Sequence, residues 1–166
     1  MSIVPLSAAV LTIVTAQRLS ELVIARRNTA RLLAAGAREV APEHYPLIVV
    51  VHIVWLAGLW SMGLAQEPSL PLLGVYAVIQ ALRLWVLTTL GTRWTTRIIV
   101  VPGEHLVDRG PYRFISHPNY AVVIGEILVL PLAFGLVAFA IAMSAANAAV
   151  LAIRIRAENE ALHSTP

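Results

Sequence analysis

The chain has 166 residues, of which 58% are hydrophobic and only 13% are charged. A soluble domain usually carries about 25% charged residues, so this composition excludes a soluble domain and predicts an integral membrane protein. Cysteine is absent, which excludes disulfides, thiolate metal sites, iron–sulfur clusters and cysteine nucleophiles.

Five apolar stretches, each close to the roughly 20 residues that a helix needs to cross a bilayer, predict an all-α fold with five transmembrane helices. In chain order the predicted spans are 3–24, 45–64, 70–90, 118–134 and 136–153. Gly135 lies between the last two, which we expect to form a tight helical hairpin. Residues 25–41 mix leucine with arginine, which is typical of a helix lying along the membrane surface. With a loop over 91–117 and a tail over 154–166, residues 1–166 form a single membrane domain.

Arginine sets the predicted orientation of the spans. All 12 basic residues are arginine, and ten of them lie in the 25–44 segment, the 91–117 loop and the tail. None lies in the two opposite turns, at 65–69 and around Gly135. Because cytoplasmic segments carry an excess of basic residues, the N-terminus is predicted outside, with the 91–117 loop and the C-terminus in the cytoplasm. This arrangement accounts for the basic charge without a nucleic-acid partner.

The 91–117 loop ends in a short pattern with a clear physical meaning. Proline disfavours the α-helical conformation in the residue before it and suits the first position of a helix. His117 is therefore predicted to be the N-cap of the fourth span, with Pro118 as its first residue. The free N–H groups of that first turn attract carboxylates, so a small polar cofactor could be held there. A purely structural cap explains the same residues, and spacing alone leaves both interpretations open.

The segment 110–120 resembles the signature of the isoprenylcysteine carboxyl methyltransferase family, which belongs with the phospholipid methyltransferases. It has the sequence Gly-Pro-Tyr-Arg-Phe-Ile-Ser-His-Pro-Asn-Tyr, and the family pattern is Gly-x-Tyr, three residues, then Arg-His-Pro-x-Tyr. Residues 104–107 and 156–162 fit as well, so the resemblance covers roughly residues 80–162. Ser116 stands where the family has arginine, and Asn159 stands where it has the second glutamate of a pair.

A narrower resemblance extends over nearly the whole chain, to a bacterial branch thought to O-methylate alkylpyrones or alkylresorcinols. The matching segments are 17–22, 26–28, 36–37, 44–46, 52, 93–94 and 98–103. The resemblance implies a bacterial plasma membrane protein whose partners are membrane lipid and a lipophilic small-molecule acceptor. An alkylated phenol or pyrone is the favoured acceptor, and a prenylcysteine-like carboxylate is the alternative.

The resemblance further implies that S-adenosylmethionine binds between the loop, the start of the fourth span and the tail. The residues implied are His105, Leu106, Val107, Gly110, Tyr112, His117, Pro118, Tyr120 and Glu158. A carboxylate such as Glu158 can accept hydrogen bonds from ribose hydroxyls or an ammonium group, and the ring of Tyr120 suits a sulfonium cation. Alternatively, the tyrosines anchor the spans at the membrane interface.

Methyl transfer is an in-line displacement that depends on alignment and needs no metal. A phenol or enol acceptor must also lose a proton to a base, for which the candidates are Glu21, His44, His52 and Glu126. A carboxylate acceptor needs no base but favours an arginine, and the candidates are Arg83, Arg154 and Arg156.

Glu126 is the leading catalytic candidate, accompanied by Glu21 and Arg156, because an ionisable residue inside a span is a functional hypothesis by default. A structural ion pair with Arg83 is the alternative for Glu126, and extension of the side chain to the membrane interface is the alternative for Glu21. His52, Trp55 and Arg83 are predicted to line the acceptor pocket. A lone histidine among apolar residues also serves as a hydrogen-bonding group between helices.

Two other functions fit parts of the sequence. Membrane sterol reductases carry a similar His-Pro-x-Tyr region and use NADPH, whose 2′-phosphate could bind the arginines of the 91–117 loop. A non-enzymatic scaffold would use the small residues at 142–149 for close helix packing, but it would leave the patterned loop unexplained.

Overall fold

The computed structural model describes the backbone of residues 3–103 and 107–163, and the side chains of residues 6–103 and 107–158. Most of the described chain is helical. The helices are α1 (Ile3–Ala34), α2 (Tyr45–Gly58), α3 (Leu70–Leu90), α4 (Pro118–Ala133) and α5 (Val137–His163). Two three-residue strands, β1 (Arg38–Val40) and β2 (Ile98–Val100), lie in the segments that follow α1 and α3.

Among the described residues, four helices are long and apolar enough to cross a membrane. They cover Leu6–Ala34, Pro42–Gly63, Leu70–Arg93 and Val137–Glu158. The remaining helix, α4, has 16 residues. It rises about 24 Å, which is less than the roughly 30 Å of a bilayer core. The fold is the predicted all-α integral membrane protein, and a full crossing by α4 stays a prediction.

The sequence predicted that the first helix would end near Ile24. The helix instead continues without a break to Ala34. Residues 6–35 contain no glycine or proline, and arginine, leucine and alanine are good helix formers. Gly36 lies just beyond the last helical residue, and its φ of 93° is typical of a C-terminal cap. The Ala37 N–H donates to the Leu32 carbonyl at 3.0 Å and completes this cap. The predicted separate surface helix is therefore an extension of α1.

The last helix is also longer than predicted, since it runs to His163 rather than ending near Ile153. No glycine or proline interrupts residues 137–163. The predicted tail over 154–166 is thus helical as far as it is described. As a result Arg154 and Glu158, four residues apart, lie on the same face of α5.

The connection between α4 and α5 is the tight turn that the sequence predicts. Gly135 adopts a φ of 71°, and its N–H donates to the Leu132 carbonyl at 2.9 Å. The following Leu136 N–H donates to the Pro131 carbonyl at 2.9 Å. A residue with a side chain would be strained at Gly135, because positive φ is unfavourable for residues other than glycine.

A short antiparallel ribbon, which the sequence pattern did not predict, joins the α1–α2 connection to the long α3–α4 loop. Its register pairs Arg38 with Val100, Glu39 with Ile99 and Val40 with Ile98. Three-residue strands carry too little alternation to be recognised from sequence, and an isolated two-stranded ribbon is only marginally stable. The ribbon depends on tertiary contacts, in which Arg97 bonds to Glu39 and lies over the ring of Tyr45.

The buried core lies where all five helices meet. Its centre includes Leu11, Trp55, Tyr76, Ile127 and Met143, one from each helix. A second, smaller cluster contains Ala25, Val86, Trp94 and Val122. Many apolar side chains on the outer helix faces are exposed, which suits contact with lipid rather than water. The second cluster supports the loop that carries the candidate site.

Candidate functional site

A cavity of about 900 Å³ opens among the ends of α1, α3 and α5, the start of α4 and the loop between α3 and α4. This is the size range of small-molecule and cofactor sites. Its polar residues come from the start of α4, from the far end of α5 and from the loop, and its apolar residues include all three of β2. We call it the loop cavity.

The start of α4 has the geometry that the His-Pro pattern predicts. Pro118 occupies the first turn, and His117 is the N-cap with a φ of −130° and no side-chain cap. The imidazole of His117 stacks on the ring of Tyr120, with ring centroids 5.3 Å apart and an angle of 24° between the planes. Both side chains line the loop cavity. The first turn of α4 therefore presents an aromatic face beside a helix N-terminus that no side chain caps.

A chain of hydrogen bonds joins this first turn to α5. The Tyr120 hydroxyl donates to Glu158 Oε2 at 2.5 Å, and Arg154 Nε donates to the Tyr120 hydroxyl at 3.0 Å. The guanidinium of Arg154 also lies 5.9 Å from the centre of the Tyr120 ring. These contacts exist because α5 extends beyond Ile153. They fix the carboxylate of Glu158 and the guanidinium of Arg154 on the wall of the loop cavity.

The Gly-Pro-Tyr turn supplies a second tyrosine. Gly110 has a φ of 61°, and a Cβ atom there would lie 2.5 Å from Thr89 Oγ1 on α3, so the turn can approach α3 this closely only with glycine. Pro111 is buried, and Tyr112 lines the loop cavity. Burial and the nearby Glu158 carboxylate raise the pKa of Tyr112 to about 12. Its hydroxyl is therefore protonated at neutral pH and able to donate a hydrogen bond.

Most of the predicted cofactor residues that the structure describes lie at the loop cavity. Its wall includes Val107, Tyr112, His117, Tyr120 and Glu158. Pro118 is buried behind this wall at the start of α4, and Gly110 supports it through the turn. His105 and Leu106, which were also predicted to contact the cofactor, lie outside the described residues.

The predicted catalytic glutamates lie elsewhere, in a buried ionic cluster formed by Arg18, Glu21, Arg83 and Glu126. Arg83 donates to both carboxylates, through Nε to Glu126 Oε1 at 2.7 Å, through Nη2 to Glu126 Oε2, and through Nη1 to Glu21 Oε2 at 3.1 Å. Arg18 lies 2.7 Å from Glu126 Oε2 and 3.0 Å from Glu21 Oε2. The cluster therefore ties α1, α3 and α4 together.

Two glutamine side chains complete the buried ionic cluster. Gln80 donates to Glu126 Oε1 at 2.8 Å, and Gln17 donates to Glu21 Oε1 at 2.8 Å and to Gln80 Oε1 at 2.6 Å. All four carboxylate oxygens have partners, and two arginines balance two glutamates. The ion pair between Glu126 and Arg83 is the structural alternative considered above, and within the described chain no cluster residue lines the loop cavity. A catalytic role for Glu126 or Glu21 stays a prediction.

The predicted acceptor residues His52 and Trp55 belong to the surroundings of this cluster. His52 Nδ1 lies 2.8 Å from the Ile48 carbonyl in its own helix. Trp55 is 1% exposed and packs under Arg18, whose guanidinium is 5.8 Å from its ring. Neither residue, nor Arg83, is on the wall described for the loop cavity.

Arg156 was predicted to be catalytic, but it is exposed on α5 and is not part of the described cavity wall. Arg154, the neighbouring candidate, faces the cavity instead. The two arginines are only two residues apart, so they point to different sides of the helix. Sequence patterns alone could not choose between them without knowing which face of α5 packs against α4.

Several wall residues were not predicted to have a role, notably Leu32, Trp94, Asn119 and the apolar residues of β2. Asn119 accepts a long hydrogen bond from Trp94 Nε1 at 3.5 Å. The run of four apolar residues at 98–101 was the signal available in the sequence, since such a run is unusual in a loop predicted to face the cytoplasm.

Comparison with known proteins identifies the family of this chain. The sequence profile of the isoprenylcysteine carboxyl methyltransferase family matches residues 72–164, which include most of α3, all of α4 and α5, and most of the loop cavity wall. The chain is also 43% identical over 157 residues to a Bacillus subtilis (strain 168) protein described as "Uncharacterized protein YpbQ", covering 92% of this chain and 94% of that protein. No solved structure matches the chain. With more than half of its length matched and the signature residues assembled around one cavity, the chain belongs to the isoprenylcysteine carboxyl methyltransferase family.

Proposed function

We propose that this protein is a membrane methyltransferase that binds S-adenosylmethionine in the loop cavity and methylates an oxygen of a lipophilic acceptor. Family membership supports membrane methyltransferase activity as such. The observation that carries the proposed binding of S-adenosylmethionine is the hydrogen-bonded chain of Arg154, Tyr120 and Glu158 on the wall of a cavity of about 900 Å³.

The residues of the polar wall fit this cofactor. Glu158, oriented by the Tyr120 hydroxyl, can accept hydrogen bonds from ribose hydroxyls or an ammonium group. The helix N-terminus at Pro118 and the guanidinium of Arg154 suit a carboxylate. The stacked rings of His117 and Tyr120 suit a sulfonium cation. When bound, S-adenosylmethionine would supply a methyl group activated by a positively charged sulfur.

The remaining task of the chain is to align the acceptor oxygen and exclude water, and alignment alone can lower a barrier by about 7–11 kcal/mol. A phenolic acceptor must also lose its proton. His117 lines the cavity, and imidazole is the side chain most often used as a general base in enzymes, so we propose it as the base in place of the buried glutamates. Arg154 would serve a carboxylate acceptor, which needs no base.

The acceptor class follows from the chemistry of the wall and from the sequence resemblance. An alkylated phenol or pyrone is favoured, with a prenylcysteine-like carboxylate as the alternative. The loop cavity is proposed to face the cytoplasm, where a water-soluble cofactor is available, because ten of the twelve arginines lie in the segments on that side of the spans and none lies in the two opposite turns.

Cofactor binding is the first test. The purified protein in detergent is titrated by calorimetry with S-adenosylhomocysteine and separately with NADPH. We expect saturable binding of S-adenosylhomocysteine alone, followed by transfer of a labelled methyl group to an alkylresorcinol. Binding of NADPH alone would favour a lipid reductase, for which Arg93 and Arg97 on the cavity wall are suitable phosphate contacts. A folded sample that binds neither would favour the scaffold function.

A further inference from the structure

The apolar wall of the loop cavity comes from an unexpected element. All three residues of β2 line the cavity together with the following Val101, and Leu32 and Ile155 extend this wall from the ends of α1 and α5. A ribbon outside the membrane helices would normally alternate polar and apolar residues, because one of its faces meets water. Four consecutive apolar residues instead indicate that the segment has an apolar partner.

The β1–β2 ribbon is held in place by contacts of Arg97, which itself lies on the cavity wall. Arg97, just before β2, donates through Nη1 to Glu39 Oε1 at 2.7 Å and to Glu39 Oε2 at 2.9 Å. The same guanidinium lies 4.4 Å from the centre of the Tyr45 ring, and the Tyr45 hydroxyl lies 3.2 Å from Thr96 Oγ1. These contacts compensate for the low intrinsic stability of a two-stranded ribbon.

The chain leading into β2 is fixed as well. Asn28, buried on α1, donates to the Trp94 carbonyl at 2.8 Å and to the Gly91 carbonyl at 3.2 Å. The ribbon is therefore anchored at its start by α1 and at its strand pairing by Glu39, and all three residues of β2 contribute to the cavity wall. This is the arrangement expected of a wall that must stay in place around a bound molecule.

An exposed apolar tip lies next to the loop cavity. Phe114 is 76% exposed and Ile115 is 47% exposed, and they directly precede Ser116 and His117 on the cavity wall. Exposed aromatic and aliphatic side chains at the end of a span favour the membrane interface. A hydrocarbon chain leaving the cavity beside this tip would pass into lipid rather than into water.

We propose that β2, with Leu32 and Ile155, forms the subsite for the hydrocarbon chain of the acceptor, and that Glu39 is a positioning residue that holds this wall through Arg97. This assignment rests on the proposed function, and it names the residues that select the acceptor by its hydrocarbon chain. The polar wall around Tyr120 and Glu158 then serves the cofactor, so cofactor affinity and acceptor selectivity depend on different residues of one cavity.

The subsite is tested by filling it. The variants Leu32→Trp and Ile155→Trp are compared with Leu33→Trp and Ile153→Trp, which place the same side chain one or two residues away, on exposed positions outside the described wall. The acceptors are resorcinols that carry a methyl, a pentyl or a pentadecyl chain. Their binding is measured by calorimetry in the presence of S-adenosylhomocysteine, and methyl transfer is measured in parallel.

We expect Leu32→Trp and Ile155→Trp to weaken binding of the pentadecyl compound by about tenfold or more. One methylene more or less in an apolar pocket already changes discrimination between ligands by about tenfold or more. Affinity for the methyl compound and for S-adenosylhomocysteine should stay within about twofold of wild type in all four variants. Equal losses for all three resorcinols, or equal losses in wall and control variants, would overturn the subsite. Wild-type protein that binds neither S-adenosylhomocysteine nor any resorcinol would overturn the proposed function itself.

The role of Glu39 is tested by Glu39→Gln, with Glu39→Asp as the conservative variant and Glu43→Gln as a control at an exposed carboxylate in the next turn. We expect Glu39→Gln to raise KM for the pentadecyl compound about two- to fivefold, the range of a partly exposed ion pair, with kcat and S-adenosylhomocysteine affinity unchanged. Glu39→Asp should recover most of the loss. A parallel fall in cofactor affinity, or no change in KM, would contradict the positioning role.

Discussion

The buried ionic cluster and the polar wall of the loop cavity differ in their surroundings, because the first is enclosed by protein and the second borders open space. In the buried ionic cluster, Arg83 is 3% exposed, Glu126 is fully buried, and both bond mainly to one another and to neighbouring charged side chains. At the loop cavity, Tyr120, Arg154 and Glu158 form a bonded chain but remain half-buried beside open space. Charge inside a membrane protein therefore indicates function most strongly where it borders a space that a ligand can occupy.

The ionic cluster also explains how a neutral set of charges can be held among apolar helices. Removing charges from water is expensive unless each is paired and hydrogen-bonded, and breaking such a pair by deleting one partner leaves the other uncompensated. Gln17 and Gln80 fill the remaining positions around the carboxylates. Such a network orients α1, α3 and α4, so it supports the loop cavity without lining it.

The largest effect should come from breaking the cluster. Glu126→Ala leaves Arg83 and Arg18 without their shared carboxylate, and we expect a loss of about 3–5 kcal/mol in unfolding free energy. Thermal unfolding in detergent measures it. Glu126→Gln keeps the size and part of the hydrogen bonding, so it should lose less stability. If Glu126→Gln instead keeps full stability and S-adenosylhomocysteine affinity but loses turnover, Glu126 is catalytic and the structural interpretation is wrong.

Removing the Tyr120 hydroxyl should act on the cavity alone. Tyr120→Phe breaks the link between Arg154 and Glu158, and hydrogen bonds to charged groups contribute about 1.5–3 kcal/mol, so S-adenosylhomocysteine affinity should fall about tenfold or more. The matched control is Tyr76→Phe beside the ionic cluster, where the buried hydroxyl has no partner among the described residues. Calorimetry should show wild-type affinity for that control.

Gly110 tests how closely the cavity wall depends on α3. In Gly110→Ala the new Cβ atom would meet Thr89 Oγ1, and the positive φ adds strain, so we expect a loss of about 1–3 kcal/mol in stability. Gly91→Ala has a similar φ of 54° but nothing within 4 Å, so it isolates the backbone contribution. The double variant with Thr89→Ala should recover the difference between the two, as measured by thermal unfolding.

The smallest effect should separate the two arginines of α5. Arg154→Ala removes the donor to Tyr120, and we expect S-adenosylhomocysteine affinity to fall about fivefold. Arg156→Ala, at an exposed position, should change affinity by less than about twofold. The opposite ranking would show that α5 presents its other face to the cofactor and that Arg154 does not belong to the polar wall.

The sequence by itself determined the membrane class, the order of the helices and a candidate place for the site. Composition required lipid as the solvent, His117-Pro118 fixed the start of α4, and Gly135 fixed the hairpin with α5. These features depend on local conformational preferences and on average hydrophobicity, and both can be read along a single chain.

Only the tertiary structure decided which of the candidate residues are in direct contact. The extension of α5 brought Glu158 to Tyr120 and chose Arg154 over Arg156, because the packing of α5 against α4 sets which helix face points inward. The β1–β2 ribbon formed between segments about sixty residues apart, and Glu126 met Arg83 and Arg18 across three helices. Contacts of this kind depend on the relative positions of distant segments, for which a single sequence carries no local signal.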